Sequence, residues 1–366
     1  MKRTTLLAAT VSLIALASPS LAEQLKIGAI LPLSGASATS GEDQRRGIEL
    51  AIEEINAAGG VLGEPVIAVV EDSGGRAPSA LDAAKKLVTV DNVPVVIGEY
   101  SSGITIPMAT YLMQENRVHL NIGSTSIKVR EIGEKSFSTI GLDDVSSIFA
   151  AKDLFDQGYR KVAVITPNNA YGQGVSEAFQ KAFTELGGEV VTTLLYTEGQ
   201  TSYRRELQQL QSTAPDAYFY SAYGKEAATI NREAFELGLH ETPWYAGYLS
   251  MCTSDSEPTY VEGQMGFDLN YVGPDGQAFS EAYQAKYGEP FVTSFTGYAY
   301  DAAKLVMLAA EQAGSTDPDA IAAKLTELGG AGYEGATGMI KFDAERQRSE
   351  QPYLQQKIAD GKITER

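Results

Sequence analysis

Cysteine is all but missing from this sequence, Cys252 being the only one. An intramolecular disulfide is therefore excluded, and stability has to come from burial. Cys252 itself is read as a small packed residue rather than a reactive thiol. Histidine is nearly as scarce, with only His119 and His240. The first falls inside a strand pattern and the second near a helix end, so neither is placed to act as a base. No Gly-x-Ser-x-Gly, His-Glu-x-x-His or Cys-x-x-Cys occurs, which removes the nucleophile-elbow, zinc and dithiol chemistries those spacings serve. Gly172-Gln173-Gly174 begins like a dinucleotide loop, but no third glycine follows at the required position. The glycine-rich stretch 329–338 lacks the strand-loop-helix setting and the Lys-Ser/Thr ending of a phosphate loop, and reads as turns. No catalytic residue, metal site or cofactor is expected.

Positive charge is also in short supply, with 29 Lys and Arg against 47 Asp and Glu and a formal net charge of −18. Nucleic acid and anionic lipid need a basic face, so neither is an expected partner. The acidity is read as solubility and says nothing about the sign of a small ligand. Long apolar runs are confined to the start. Lys2 and Arg3 precede an apolar run at 6–17 that is too short to span a bilayer. Ser20-Leu21-Ala22 then offers small residues at the −3 and −1 positions of a cleavage site. Residues 1–22 are thus expected to be a signal peptide cleaved after Ala22, with export to the periplasm and no lipid anchor, since no Cys follows the run.

What is present is a repeated alternation. Residues 25–31 read as a buried strand, and a Ser/Gly/Ala/Thr-rich loop covers 32–41. A helix over 42–58 carries Ile48, Ala51, Ile52 and Ile55 on one face and stops at Gly59-Gly60. Strands at 66–71, 93–98 and 118–122 follow, with a helix opening at Pro78 between the first two. The pattern restarts near Ser146, with strands at 161–166, 189–195, 216–221 and 244–246 and helices between them. Such β-α-β runs with short loops predict an α/β fold of two doubly wound parallel sheets. The last hundred residues are less regular, with a small-residue helix face through Ala299, Ala302, Val306, Ala309 and Ala313 and a strand at 337–342. The chain is expected to cross between the two halves more than once, forming a hinge.

In open α/β sheets, ligands sit beyond the carboxyl ends of strands, near helix N-termini. Tyr100, Ser101 and Ser102 follow one such strand, and Gly123, Ser124, Thr125 and Ser126 follow its neighbour. Together they could cradle a carboxylate, but helix capping explains each cluster about as well. In the second half, Tyr171, Tyr223, Trp244, Tyr245 and Tyr248 stand at strand ends. They could cover an apolar ligand or pack the interior, the latter being the default for Trp244 and Tyr245.

Lys26-Ile27-Gly28 with Pro32-Leu33-Ser34-Gly35, Gly47-Ile48-Glu49-Leu50-Ala51 and Glu54-Ile55-Asn56-Ala57-Ala58-Gly59-Gly60 resembles the leucine/isoleucine/valine-binding proteins of ABC transporters. Val96-Ile97-Gly98 with Ser101-Ser102, and Tyr171-Gly172, agree with it. The resemblance implies a type I periplasmic binding protein of two Rossmann-like lobes joined by three hinge strands. Lobe 1 would comprise 23–142 plus 270–341, and lobe 2 143–269 plus 342–366. It implies a monomer that closes on a small-molecule ligand and delivers it to permease subunits, without catalysis. Ser102 and Thr125 would hold the ligand carboxylate beside the backbone of Gly123. Asp143 would be able to meet an amine, and Tyr171 and Tyr223 would close from lobe 2. One departure stands out. Tyr248 occupies the place where family members that bind aliphatic amino acids carry a carboxylate for the α-ammonium. A lone buried ammonium is costly, so either Asp143 supplies the countercharge or the ligand has no amine. A branched-chain or other hydrophobic amino acid is the leading expectation, with an aromatic or aliphatic acid or amide as the alternative. A soluble sensory receptor of the same fold also stays open.

Overall fold

The computed structural model describes residues 24–366; the expected signal segment lies outside the described residues. β1 (Lys26–Leu31), α1 (Ala38–Ala57), β2 (Ile67–Asp72), α2 (Ala77–Thr89), β3 (Val95–Gly98), α3 (Ser102–Gln114), β4 (Val118–Asn121) and β5 (Ser136–Ser138) build the first sheet. Its order is β2-β1-β3-β4-β5, with every pair parallel. From Ile27 onward β1 is fully buried, which is why it reads as an unbroken apolar run rather than an alternation. α1 starts four residues earlier than its apolar spacing predicts. The small residues Ala38-Thr39-Ser40-Gly41 form its first turn, and Gly41 lies so near Pro32 that a Cβ would sit 2.3 Å from the Pro32 carbonyl oxygen.

The second sheet takes α4 (Asp143–Asp156), β6 (Lys161–Pro167), α5 (Ala170–Glu185), β7 (Glu189–Tyr196), α6 (Arg204–Gln211), β8 (Ala217–Tyr220), α7 (Gly224–Glu236), β9 (Trp244–Gly247), α8 (Leu249–Thr253), α9 (Pro258–Val261) and β10 (Met265–Leu269). The chain then returns to the first sheet's side through α10 (Gly273–Tyr287), α11 (Phe295–Ala313), α12 (Pro318–Ala331) and the hairpin β11 (Tyr333–Gly335) and β12 (Gly338–Ile340). It ends in β13 (Tyr353–Ala359) and β14 (Lys362–Glu365). The second sheet's order is β14-β13-β10-β9-β8-β6-β7, parallel from β7 to β10 with β13 and β14 antiparallel at the edge.

Two details differ from the sequence reading. The strand expected at 337–342 pairs with β11 in a two-stranded hairpin, with one further bridge from Phe342 to Arg348, and completes neither large sheet. The completing strands are β13 and β14, joined by Asp360-Gly361 at φ 53° and 70°, the two-residue turn geometry that Asp-Gly favours.

The chain passes between the sheets three times: after β5, after β10 and after β12. Arg348 ties the first passage to the third. Its guanidinium is buried (1% exposed) and donates to the carbonyls of Thr139 (3.0 Å), Thr337 (2.7 Å), Met339 (2.9 Å) and Glu350 (3.0 Å). A buried charge is tolerable when its donors are filled this completely.

The residues set aside as structural behave so. His119 lies between Ser136 Oγ and the Gly98 carbonyl, and burial pushes its ring down to about 4, so it is neutral. His240 stacks on Phe235. Trp244 Nε1 donates to the Leu239 carbonyl (3.1 Å) and Tyr245 donates to Asp153 (2.7 Å), both inside the second sheet's core.

Candidate functional site

The carboxyl ends of the two sheets face each other across a cleft. A narrow cavity lies there, lined by Tyr100, Ser102, Gly123, Thr125 and Phe295 from one side and Tyr171, Tyr223, Tyr248 and Met251 from the other. It holds about 220 Å³ of space outside atoms, of which only about 10 Å³ could take the centre of a water molecule. The chamber is therefore narrow, below the several hundred Å³ of drug-sized sites. It shares Tyr100 and Tyr223 with a wider interlobe groove of about 1110 Å³ on the same measure, with Ala36, Glu99, Asn169 and Glu198 in its wall.

The strand-end hydroxyls are not all caps. Ser101 is the N-cap of α3 but makes no capping bond; its N–H donates to Glu99 (2.8 Å). Ser102 Oγ accepts from the Ser126 N–H (3.2 Å), leaving its own proton available. Thr125 Oγ1 is buried without a partner. Ser126 alone of these caps, accepting from Lys128 N–H (3.4 Å). Gly123 lines the cavity, yet its N–H, like that of Ser124, is turned to Asn121 Oδ1 (3.3 and 2.9 Å). Its amide is shared rather than free, which qualifies the expectation of a backbone donor there. The two strand ends touch: a Cβ at Gly123 would lie 3.0 Å from the Tyr100 backbone.

From the opposite lobe, Tyr171 is held by a hydroxyl contact to Ser221 Oγ (2.6 Å). Tyr223 reaches Ser101 Oγ across the cleft at 3.4 Å. Tyr248 adopts φ 61°, ψ 86° ahead of α8, an uncommon backbone for a residue with a side chain. Its hydroxyl is buried with no partner. The rings form a continuous belt: Tyr171 to Tyr223 at 5.8 Å, Tyr223 to Tyr100 at 5.6 Å, Tyr100 to Phe295 at 5.1 Å and Phe295 to Tyr248 at 5.1 Å between centroids. Phe295 and Met251 line the cavity without being among the residues expected from the sequence, where Tyr100 enters only as a neighbour of Ser102. Nothing in their local pattern marks Phe295 or Met251, since long-range folding brings them in.

Asp143 does not line the cavity. It begins α4 behind Thr125, whose carbonyl accepts its N–H (2.6 Å), and a Cβ at Gly174 would lie 2.8 Å from its Oδ2. Both carboxyl oxygens are buried without a partner. Burial pushes the carboxyl up to about 8, and the Thr125 hydroxyl, close by but outside hydrogen-bond geometry, pulls it back only in part, so it carries a proton at neutral pH. No residue lining the cavity is charged.

Residues 24–362 match the family model described as periplasmic binding protein. The chain belongs to that family. As a periplasmic binding protein it is an extracytoplasmic, non-enzymatic component of an ABC transporter that binds a small solute. Similar proteins include the amino acid binding protein of Pseudomonas aeruginosa, 30% identical over 305 residues, covering 80% of this chain and 79% of that one. A Leu/Ile/Val-binding protein homolog 2 of Brucella abortus is 29% identical, covering 96% and 95%. Among solved structures, a leucine binding protein of Thermotoga maritima superposes with a TM-score of 0.85 at 25% identity, covering 93% of this chain and 97% of that one. A solute binding protein of R. palustris in complex with 4-hydroxybenzoate has a TM-score of 0.84 at 20% identity, covering 94% and 96%; it shares the fold.

Proposed function

We propose that this binding protein takes up a compact hydrophobic carboxylate, with branched-chain or other hydrophobic amino acids as the first class to try. The carboxylate rests on Ser102 and Thr125 beside Gly123, and Tyr171, Tyr223 and Tyr248 close over the apolar part. The observation that carries this reading is the pairing of an available Ser102 hydroxyl and an unpartnered Thr125 hydroxyl with a belt of rings around one narrow interlobe cavity. A buried unpaired hydroxyl is costly, and a ligand oxygen at that point removes the cost. The names of the relatives at 27–30% identity favour an amino acid.

A second reading, an aromatic or aliphatic acid or an amide without an amine, is favoured by the uncharged lining and by Tyr248. An ammonium there would depend on Asp143, one layer behind the wall. In either case the solute meets the hydroxyls of one lobe first. It then stabilises closure by its higher affinity for the closed form, and permease subunits receive the closed protein. We assign lobe 1 to residues 23–142 plus 270–341 and lobe 2 to 143–269 plus 342–366, with residues 1–22 removed on export to the periplasm.

A thermal-shift screen of the protein without residues 1–22 tests this. L-leucine, L-isoleucine, 4-hydroxybenzoate and acetamide are compared, since a bound ligand raises the melting temperature. A rise with one of the acids is expected. A rise with acetamide alone would remove the carboxylate assignment.

A further inference from the structure

The lobes meet a second time, outside the solute cavity. Ahead of α1, the Ala36 carbonyl accepts from the Lys225 N–H in the first turn of α7 (3.1 Å). One helical turn later the Thr39 hydroxyl donates to Asp255 Oδ1 (2.6 Å). Position 224 is where the two backbones come closest. A Cβ there would lie 2.3 Å from the Ala36 carbonyl oxygen and 2.8 Å from Asp255 Oδ2, and φ is +36°; both conditions call for glycine. Asp255 Oδ2 is buried without a hydrogen-bond partner, against the N-terminus of a 13-residue helix, whose dipole favours a negative charge. None of Ala36, Thr39, Gly224, Lys225 and Asp255 lines the cavity of Ser102 and Thr125, and of the five only Ala36 borders the wider interlobe groove beside it.

We propose that these residues are a closure clamp, in which Gly224 and Asp255 act as positioning residues that set the equilibrium between open and closed lobes. Gly224 admits the Ala36 carbonyl, and Asp255 then holds Thr39. Because the clamp touches no solute, it changes the affinity of every solute by one common factor. By contrast, a residue in the cavity wall changes the ranking of solutes. The affinity part of this inference rests on the solute-binding reading; the geometric part does not.

The test places one spin label on each lobe, through Lys85→Cys and Gln209→Cys, both at exposed helical positions. Interlabel distances are measured without solute, with L-leucine and with 4-hydroxybenzoate. In Asp255→Ala, Thr39→Val and Gly224→Ala, the distribution is expected to shift towards the open separation. Affinity for whichever solute binds is expected to fall about tenfold, as for one lost charge-assisted hydrogen bond, through faster dissociation. Thr39→Ser should restore both. Distributions matching the unsubstituted protein in every variant, or a loss that differs between solutes, would overturn the clamp. Should neither solute bind, the proposed ligand class fails while the distances still decide the clamp.

Discussion

Thr125→Val is the substitution whose consequences the site fixes most tightly, because it pulls two quantities in opposite directions. The Thr125 hydroxyl is buried with no partner, in a residue 1% exposed. Valine keeps the shape and removes the unmet hydrogen-bonding capacity, which costs about 1–3 kcal/mol when left buried. Without solute, the variant should therefore be at least as stable as the parent. With roughly 1 kcal/mol gained, the melting temperature rises by one or two degrees in a chain of this size. The solute loses a hydrogen bond to a charged group, about 1.5–3 kcal/mol, which is about 10- to 100-fold in affinity. Calorimetric titration and a thermal melt on the same preparations read both numbers. Stability and affinity falling together would mean that the hydroxyl serves the lobe's own structure. Unchanged affinity would mean that no solute reaches it.

Tyr248→Phe should behave similarly, with an unliganded melting temperature equal or higher and about tenfold weaker binding of the preferred solute in titration calorimetry. For Asp143, the folded value of about 8 stands above the ordinary carboxylate value of about 3.9. Between these the native form holds a proton that the unfolded chain has released, so stability falls as pH rises from about 4 to about 8 and then levels off. Asp143→Asn should flatten part of that slope in melts across pH, leaving the shares of Glu99, which burial pushes up to about 7, and of Asp268 and Asp301, which burial pushes up to about 6. Binding separates the two ligand classes: affinity for an amine-bearing solute should climb with pH up to about 8, with proton release measurable in two buffers, whereas affinity for an amine-free acid should not climb. Cys252 is buried and its thiol is pushed up to about 12, so a thiol reagent should label it only after denaturation; labelling of the folded protein would contradict its packed position.

Most of the two sheets could be read from the residues because strands such as 25–31 and 161–166 are buried on both faces and so appear as apolar runs. The first turn of α1 could not, since Ala38 to Gly41 carry no apolar periodicity and Gly41 answers to its close approach to Pro32. The edge hairpin carries one readable signal, Asp360-Gly361, set in the weak polar alternation of 353–365. Among the residues lining the cavity, Ser102, Thr125, Tyr171, Tyr223 and Tyr248 could be anticipated because strand ends concentrate polar and aromatic residues. Phe295 was not, because it opens a helix that follows a lobe crossing and resembles any other core aromatic. The engagement of the Gly123 amide was hidden too, since it depends on Asn121 turning back from inside β4.

The central claim is most directly tested by a crystal structure with the solute that gives the largest thermal shift. Solute density is expected between the lobes, with an acidic oxygen within hydrogen-bond reach of both Ser102 Oγ and Thr125 Oγ1 and the apolar part against Tyr171, Tyr223 and Tyr248. Solute bound elsewhere, or in the cleft with its acidic group turned away from those two hydroxyls, would contradict it.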